Sequence, residues 1–228
     1  MKNLLIGIFA GVIIGSLAIF IIMFCFTANE TETTKPSVQS ETPLTEEDMN
    51  VKTFEELFQP IEVAELTDNV FKLVGKDFTV ITAGDSVSYN SMTASWGGQG
   101  ILFEKPVTWC FLRASRYTLE MIKKETSYTM SYFDDKYKEQ VVFFGSKSGR
   151  NTDKMKETAL THVLTPSGNS SYKEARLIFE CKLTGITTVN PDDFCEQADK
   201  DFVIEGYNDA KAYHKIVFGE ITNIWIRK

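Results

Sequence analysis

Asn90-Ser91-Met92-Thr93-Ala94-Ser95-Trp96-Gly97-Gly98-Gln99-Gly100 sets the terms for the rest of the chain. As an extended strand it places alternate side chains on opposite faces. Met92, Ala94 and Trp96 share one face, and Ser91, Thr93 and Ser95 form a row of hydroxyls on the other. Gly97, Gly98 and Gly100 follow, offering bare backbone that a ligand can approach closely. Hydroxyls beside unshielded N–H groups suit a phosphate or the edge of a heteroaromatic ring. A half-exposed strand with a polar face and a glycine turn accounts for the same residues, so the segment alone leaves both readings open.

Downstream come Ile101 to Phe103, Lys105-Pro106 and a strand over 107–113. Arg113-Ala114-Ser115-Arg116-Tyr117-Thr118 then leads into an expected helix over 119–125, with Ser115 as its expected N-cap. Two arginines at a helix start oppose the macrodipole. A bound anion reconciles them, because guanidinium and backbone N–H groups then point at the same charge. Arginines swung out into water are the other solution. A second cationic run, Gly145-Ser146-Lys147-Ser148-Gly149-Arg150-Asn151-Thr152-Asp153-Lys154, precedes an expected helix over 152–160. It lacks the Gly-Lys-Ser/Thr ending of a Walker loop. It is either a second anion cradle or a solvated basic loop.

Upstream, 51–68 reads as a short amphipathic helix broken at Pro60. Residues 70–74 and 78–83 read as β-rich runs joined in a hairpin through Gly75-Lys76-Asp77. Further strands are expected over 128–133, 175–185, 213–218 and 221–226, the last two joined through Gly219-Glu220. In 175–185, Leu177, Phe179, Cys181 and Leu183 face one way, Glu180 and Lys182 the other. Short helices are expected over 136–144 and 191–198. Strands dominate and no βαβ alternation appears, which predicts a closed antiparallel barrel with helical insertions rather than a parallel Rossmann sheet.

The chain has 228 residues, 43% of them hydrophobic, enough for one sizeable domain plus extensions. Residues 4–26 form 23 consecutive positions without a charge. As a helix they span about 35 Å, enough to cross a bilayer. The expected organisation is therefore a single-pass N-terminal membrane anchor (1–28), a disordered acidic linker (29–50) and a domain (51–228). Lys2 before the span and Glu30 and Glu32 after it place the domain on the extracytoplasmic side. The formal net charge of −7 lies mostly in the linker and argues against nucleic acid as a partner. Four cysteines without a CxxC pair and two histidines argue against a zinc or iron–sulfur site, and the domain's cysteines read as buried free thiols. Gly84-Asp85-Ser86 opens like a GDS-type lipase, but position 211, three before His214, is Lys rather than Asp, and no Gly-x-Ser-x-Gly is present. A serine hydrolase is excluded.

The ordered set of segments resembles the flavin reductase-like proteins of the FMN-binding split-barrel group, particularly the flavoredoxin-like branch. The resemblance runs over about 68–225. It is carried by Asn69-Val70-Phe71, Thr82-Ala83-Gly84-Asp85, Asn90-x-Met92-Thr93-Ala94-Ser95-Trp96-Gly97-Gly98-x-Gly100 and Lys105-Pro106. It continues in Arg113-x-Ser115-Arg116-Tyr117-Thr118, Gly145-x-x-Ser148-Gly149-Arg150-x-x-Asp153-Lys154, Glu174-Ala175-Arg176, and His214 with Gly219-Glu220-Ile221. The resemblance implies a six-stranded antiparallel Greek-key split barrel that forms a homodimer and binds FMN without a covalent bond. It implies that Asn90, Met92, Thr93, Ala94, Ser95 and Trp96 hold the flavin, and that Arg113, Ser115, Tyr117 and Thr118 line its phosphate side. Ser148, Gly149, Arg150 and Lys154 then close over the cofactor. His214 matches a position near the nicotinamide of an NAD(P)H co-substrate, and a strand histidine satisfied by backbone is its other reading. The implied activity is an oxidoreductase that takes electrons from a reduced nicotinamide or another donor and passes them to a flavin, iron or protein acceptor. An electron carrier without NAD(P)H turnover is the alternative.

Overall fold

In the computed structural model, which describes residues 52–207, 209 and 212–228, the chain opens with α1 (Phe54–Leu57), β1 (Phe58–Ile61), α2 (Val70–Lys72) and β2 (Thr79–Gly84). It continues through β3 (Tyr89–Ala94), β4 (Gly97–Leu102), β5 (Lys105–Arg113), α3 (Tyr117–Glu125), β6 (Ser127–Tyr132) and α4 (Lys138–Ser146). It ends with β7 (His162–Leu164), β8 (Ser170–Tyr172), β9 (Leu177–Thr188), α5 (Gln197–Glu205) and β10 (His214–Arg227). Strands lie in the order β3-β2-β6-β9-β10-β5-β4, with β1 also on β10 and every pair antiparallel. The two edges, β3 and β4, are consecutive in the chain. They part at Ser95 and Trp96, where the Trp96 carbonyl accepts the Phe111 N–H at 3.1 Å and ties the corner to β5.

Strand alternation divides the apolar residues between two cores. Leu177 and Phe179 pack with Ile81, Met92, Leu112, Met130 and Val217. The intervening Ile178 points the other way, to Phe58, Val80, Val141, Phe144 and Tyr172. The first core draws on β2, β3, β5, β6, β9 and β10, so these six strands enclose one interior, and α3 adds Leu119 and Ile122. This mainly antiparallel, curled sheet is consistent with the expected split barrel. Each such buried side chain contributes about 1.5–3 kcal/mol of transfer free energy.

Several local expectations need correction. Residues 70–77 are not a hairpin. The Asn69 side chain accepts the Lys72 N–H at 3.1 Å and starts α2, which runs on into a π turn over Leu73–Asp77. An Asn cap outweighs the β propensity of Val70 and Phe71. Residues 152–160 form turns instead of a helix, because Lys154 is drawn inward to bond the Ser91 and Phe144 carbonyls at 2.7 and 2.8 Å. The two C-terminal strands are one, β10, with a register shift at Phe218/Gly219 in place of a turn. Cys110 and Cys181 are buried free thiols, whereas Cys195 is exposed.

The membrane placement is also corrected. Among the described residues no helix is long and apolar enough to cross a membrane. The helices α3, α4 and α5 have 9 residues each, about 14 Å against the roughly 30 Å of a hydrocarbon core. The segment expected to span, 4–26, lies outside the described residues, and a transmembrane helix is not part of the fold established here.

Candidate functional site

α3 begins at Tyr117, and its N-cap position is held by Arg116, whose side chain makes no capping bond. Ser115, the expected cap, sits one residue too early and is exposed. The helix start is thus left to an external anion or to water. Arg113 and Arg116 both stand beside it, and neither enters an ion pair among the described residues. The Arg113 guanidinium lies over the Tyr207 ring at 5.6 Å. Burial, and then the neighbouring Arg113 charge, lower the Arg116 pKa from its ordinary value. Lys154 reaches the same place from the 145–154 loop. It is 5% exposed, and burial followed by the Arg116 charge brings its pKa down to about 8.

These cations border two cavities that share Met92, Arg113 and Arg116. One, of about 510 Å³, is lined by Asn90, Met92, Arg113, Ser115, Arg116, Tyr117, Thr118, Lys147, Ser148, Gly149 and Lys154. The other, of about 220 Å³, is lined by Met92, Thr93, Ala94, Ser95, Trp96, Phe111, Arg113, Arg116 and His214. Neither lining contains a carboxylate. In a chain of net charge −7, a cationic, acid-free hollow at an uncapped helix start is suited to an anion.

The structure therefore brings thirteen of the fourteen expected cofactor residues, and His214, to these two cavities. Arg150 is elsewhere. It donates to the Ser115 carbonyl at 2.9 Å and to the Glu120 carboxylate at 2.5 Å, lies over the Tyr117 ring at 5.1 Å and lines a neighbouring groove. Its charge is already answered, and it pins the 145–154 loop to α3. Arg116 joins the site although the resemblance assigned it no role there. The arginine pair at a helix start is the signal that marks it.

The opening segment serves differently than its alternation suggests. The Ser91 hydroxyl bonds Thr82 at 2.8 Å and Tyr172 at 2.5 Å, and Thr93 donates to the Val141 carbonyl. Those hydroxyls fasten β3 to its neighbours. The glycines face protein as well: a Cβ on Gly97 would lie 2.2 Å from the Trp109 carbonyl oxygen, and one on Gly98 2.4 Å from the Trp109 ring. Asn90, by contrast, donates to the Thr118 hydroxyl at 2.7 Å, and a Cβ on Gly149 would lie 1.8 Å from its Oδ1. Three chain segments thus close together at the larger, cationic cavity.

His214 stands opposite Arg113 across the β10–β5 pair. Its ring lies 5.0 Å from Trp96. Its Nδ1 is buried without a hydrogen-bond partner. Burial, then Arg113 and Arg116, bring its pKa down to about 4, so the ring is neutral at neutral pH.

Residues 72–228 match the family model described as "Flavin reductase like domain". The chain belongs to that family. No curated protein matches the chain. Among solved structures, the flavin reductase-like chain is similar to the FMN-binding domain of a flavin reductases-like enzyme from Shewanella baltica: 16% identity, 74% of this chain and 76% of that one, TM-score 0.53. Flavoredoxin of Desulfovibrio vulgaris (Miyazaki F) matches at 20% identity over 73% and 76% of the two chains, TM-score 0.51. The FMN-binding protein from Thermus thermophilus with bound 1-cyclohex-2-enone matches at 20% identity over 71% and 75%, TM-score 0.51. At these identities the structures establish the shared fold.

Proposed function

We propose that this flavin reductase-like chain binds FMN across the two joined cavities and works as an oxidoreductase that relays electrons. The observation that carries the reading is the acid-free cluster of Arg113, Arg116 and Lys154 at the uncapped start of α3. A flavin phosphate supplies the anion that this cluster calls for, and the Thr93–Trp96 corner with His214 then borders the ring. The FMN-binding solved structures of the same fold support the choice of cofactor. When bound, FMN supplies acceptance of a hydride and release of its electrons.

The protein's own residues position and insulate. Arg113, Arg116 and Lys154 neutralise the phosphate, with Ser115, Thr118 and Ser148 beside it. Arg150 holds the loop that carries Ser148, Gly149 and Lys154. Neutral His214 and half-exposed Trp96 border the face open to a reaction partner, and NAD(P)H is the proposed donor. A homodimer is proposed as well, through the face bearing Ile101, Trp109, Ile216 and Phe218. Its hairpin tip exposes Phe103 at 86% of its surface, at a positive φ of 52°, where an unpartnered apolar side chain is costly.

The test is titration of the domain, residues 51–228, with FMN by calorimetry, followed by anaerobic addition of NADH and NADPH. The expected result is one FMN per chain and bleaching of the flavin absorbance by a nicotinamide. Failure to bind FMN overturns the cofactor; binding without bleaching leaves an electron carrier. Sedimentation at micromolar concentration reads the dimer, and a monomer there overturns it.

A further inference from the structure

The connection between β9 and β10 stands as a wall beside His214, where Val189, Phe194, Val203 and Tyr207 line a cavity with it. Its helix, α5, packs very little of itself. Of nine residues, Val203 alone is buried and Lys200 is half-buried; the rest are exposed. A helix this short ordinarily owes its stability to a packed apolar face. Here the large apolar side chains outside Val203 are left in water, Phe202 at 66% and Ile204 at 50% exposure. Asp201 and Glu205 are one turn apart on the outer side, where like charges repel. At 100° per residue Phe202 and Ile204 fall on opposite flanks of that acidic pair. The Phe202 flank lies toward the site, its ring 6.3 Å from that of half-exposed Trp96.

The charge of this wall is of one sign. Residues 191–206 carry Asp192, Asp193, Glu196, Asp199, Asp201 and Glu205 against a single cation, Lys200. None of these carboxylates enters an ion pair among the described residues. An apolar patch rimmed by unanswered charge is the pattern of a protein interface, and the charge selects the occupant. Anionic lipid and nucleic acid carry the same sign and are turned away. So is a second copy meeting α5 with α5, which sets acid against acid, and so are residues 29–50, where acids outnumber bases. We infer that the outer face of α5 docks a basic electron-carrier protein, with cations over Asp201 and Glu205 and an apolar patch against Phe202. Such contacts are small and short-lived, and this one ends at Trp96, on the edge of the proposed flavin cavity. Each flavin reduced by two electrons then serves two one-electron carriers, one electron to each, and the proton on its N5 passes to water. The electron transfer rests on the flavin reading; the docking does not.

The experiment uses cytochrome c, a basic haem protein, and the same protein with its lysines succinylated. Each is titrated by calorimetry into the full chain, FMN-free and FMN-loaded. Native cytochrome c is expected to bind, and to weaken about tenfold between about 10 and 150 mM salt, as the Debye length falls from about 30 to 8 Å. The succinylated form should not bind. Asp199→Asn/Asp201→Asn/Glu205→Gln should remove most of the affinity and flatten the salt dependence, and Phe202→Ser should weaken binding severalfold at every salt concentration. Both variants should leave FMN titration unchanged. With the flavin reduced by one equivalent of dithionite, two equivalents of native cytochrome c should be reduced, more slowly by the charge variant. Equal binding of the two cytochromes, or wild-type binding by the charge variant, overturns the docking face. A dimer in sedimentation that Phe202→Ser dissociates gives the face to a second copy and overturns it too. Docking that responds to both variants in a chain that takes no FMN supports the face and overturns the flavin reading alone.

Discussion

Glu180 and Lys154 are 0% and 5% exposed, and the chain treats the two charges in opposite ways. Glu180 faces away from the barrel interior, as the alternation of β9 predicts, but into the second buried layer rather than into water. Its carboxylate accepts hydrogen bonds from Asn169 Nδ2, Asn223 Nδ2 and Trp225 Nε1, each at 2.9 Å, from Ser167 at 3.3 Å, and from Thr165. Lys154 has three N–H donors and spends two, on the carbonyls of Ser91 and Phe144. The third has no acceptor among the described residues, and the charge that acts on this ammonium is that of another cation, Arg116. A closed shell marks a charge that builds the fold. The open one is the charge that the proposed function gives to a ligand.

The largest effect should come from breaking the closed shell. Glu180→Ala strands several buried donors and should lower stability by about 3 kcal/mol or more in chemical denaturation. The flavin affinity of the remaining folded protein should be unchanged. A cost below about 1 kcal/mol would show that the shell is ornamental.

Next are the open charges. Arg116→Ala should weaken FMN by about 1.5–3 kcal/mol, roughly tenfold to a hundredfold, and leave riboflavin untouched, because riboflavin lacks the phosphate. Arg113→Ala should act in the same direction. Equal losses for both ligands would mean that the arginines do not read phosphate.

The pH dependence sharpens the contrast at Lys154. In the ligand-free protein its amine titrates near about 8. The ammonium is present below that pH and is lost as pH rises, so FMN affinity should hold at neutral pH and then fall, by up to about tenfold per pH unit. Riboflavin should show no such fall, and Lys154→Met should flatten the FMN profile. The ligand-free fold should respond with the opposite sign. Its amine is depressed from 10.5, so between about 8 and 10.5 the unfolded chain binds more protons and stability rises with pH.

The smallest effect belongs to Arg150, whose guanidinium is already paired with Glu120 and the Ser115 carbonyl. Arg150→Ala should cost FMN and riboflavin alike, by no more than about 1 kcal/mol, the range of an exposed pair. A phosphate-specific loss would return Arg150 to the open charges.

The legible parts of this molecule were the local ones. Strand alternation in Leu177-Ile178-Phe179 and the clustering of Arg113 with Arg116 depend on residues a few positions apart, where geometry is set by the strand repeat and the helix start. The illegible parts depend on what arrives from far along the chain. Asn69 capping α2 is an exception: the cap is a local signal, and it outweighs the β propensity of Val70 and Phe71 that points to a strand. The Ser91 hydroxyl is claimed by Tyr172 and Gly98 is crowded by Trp109, and no pattern within residues 90–100 announces either. The 189–207 wall beside His214 has no motif at all.

The sequence by itself determined a β-rich chain of the flavin reductase-like kind, with its cations gathered in two short runs. Only the tertiary structure decided which of those cations face an open cavity and which are neutralised by a neighbour. It also decided that Glu180 is interior and that the hydroxyl row of β3 is a fastening. The physical reason is that alternation assigns a side chain to a face, but whether that face meets water, a ligand or another layer of protein depends on groups brought together only when the sheet curls and its flanking loops pack.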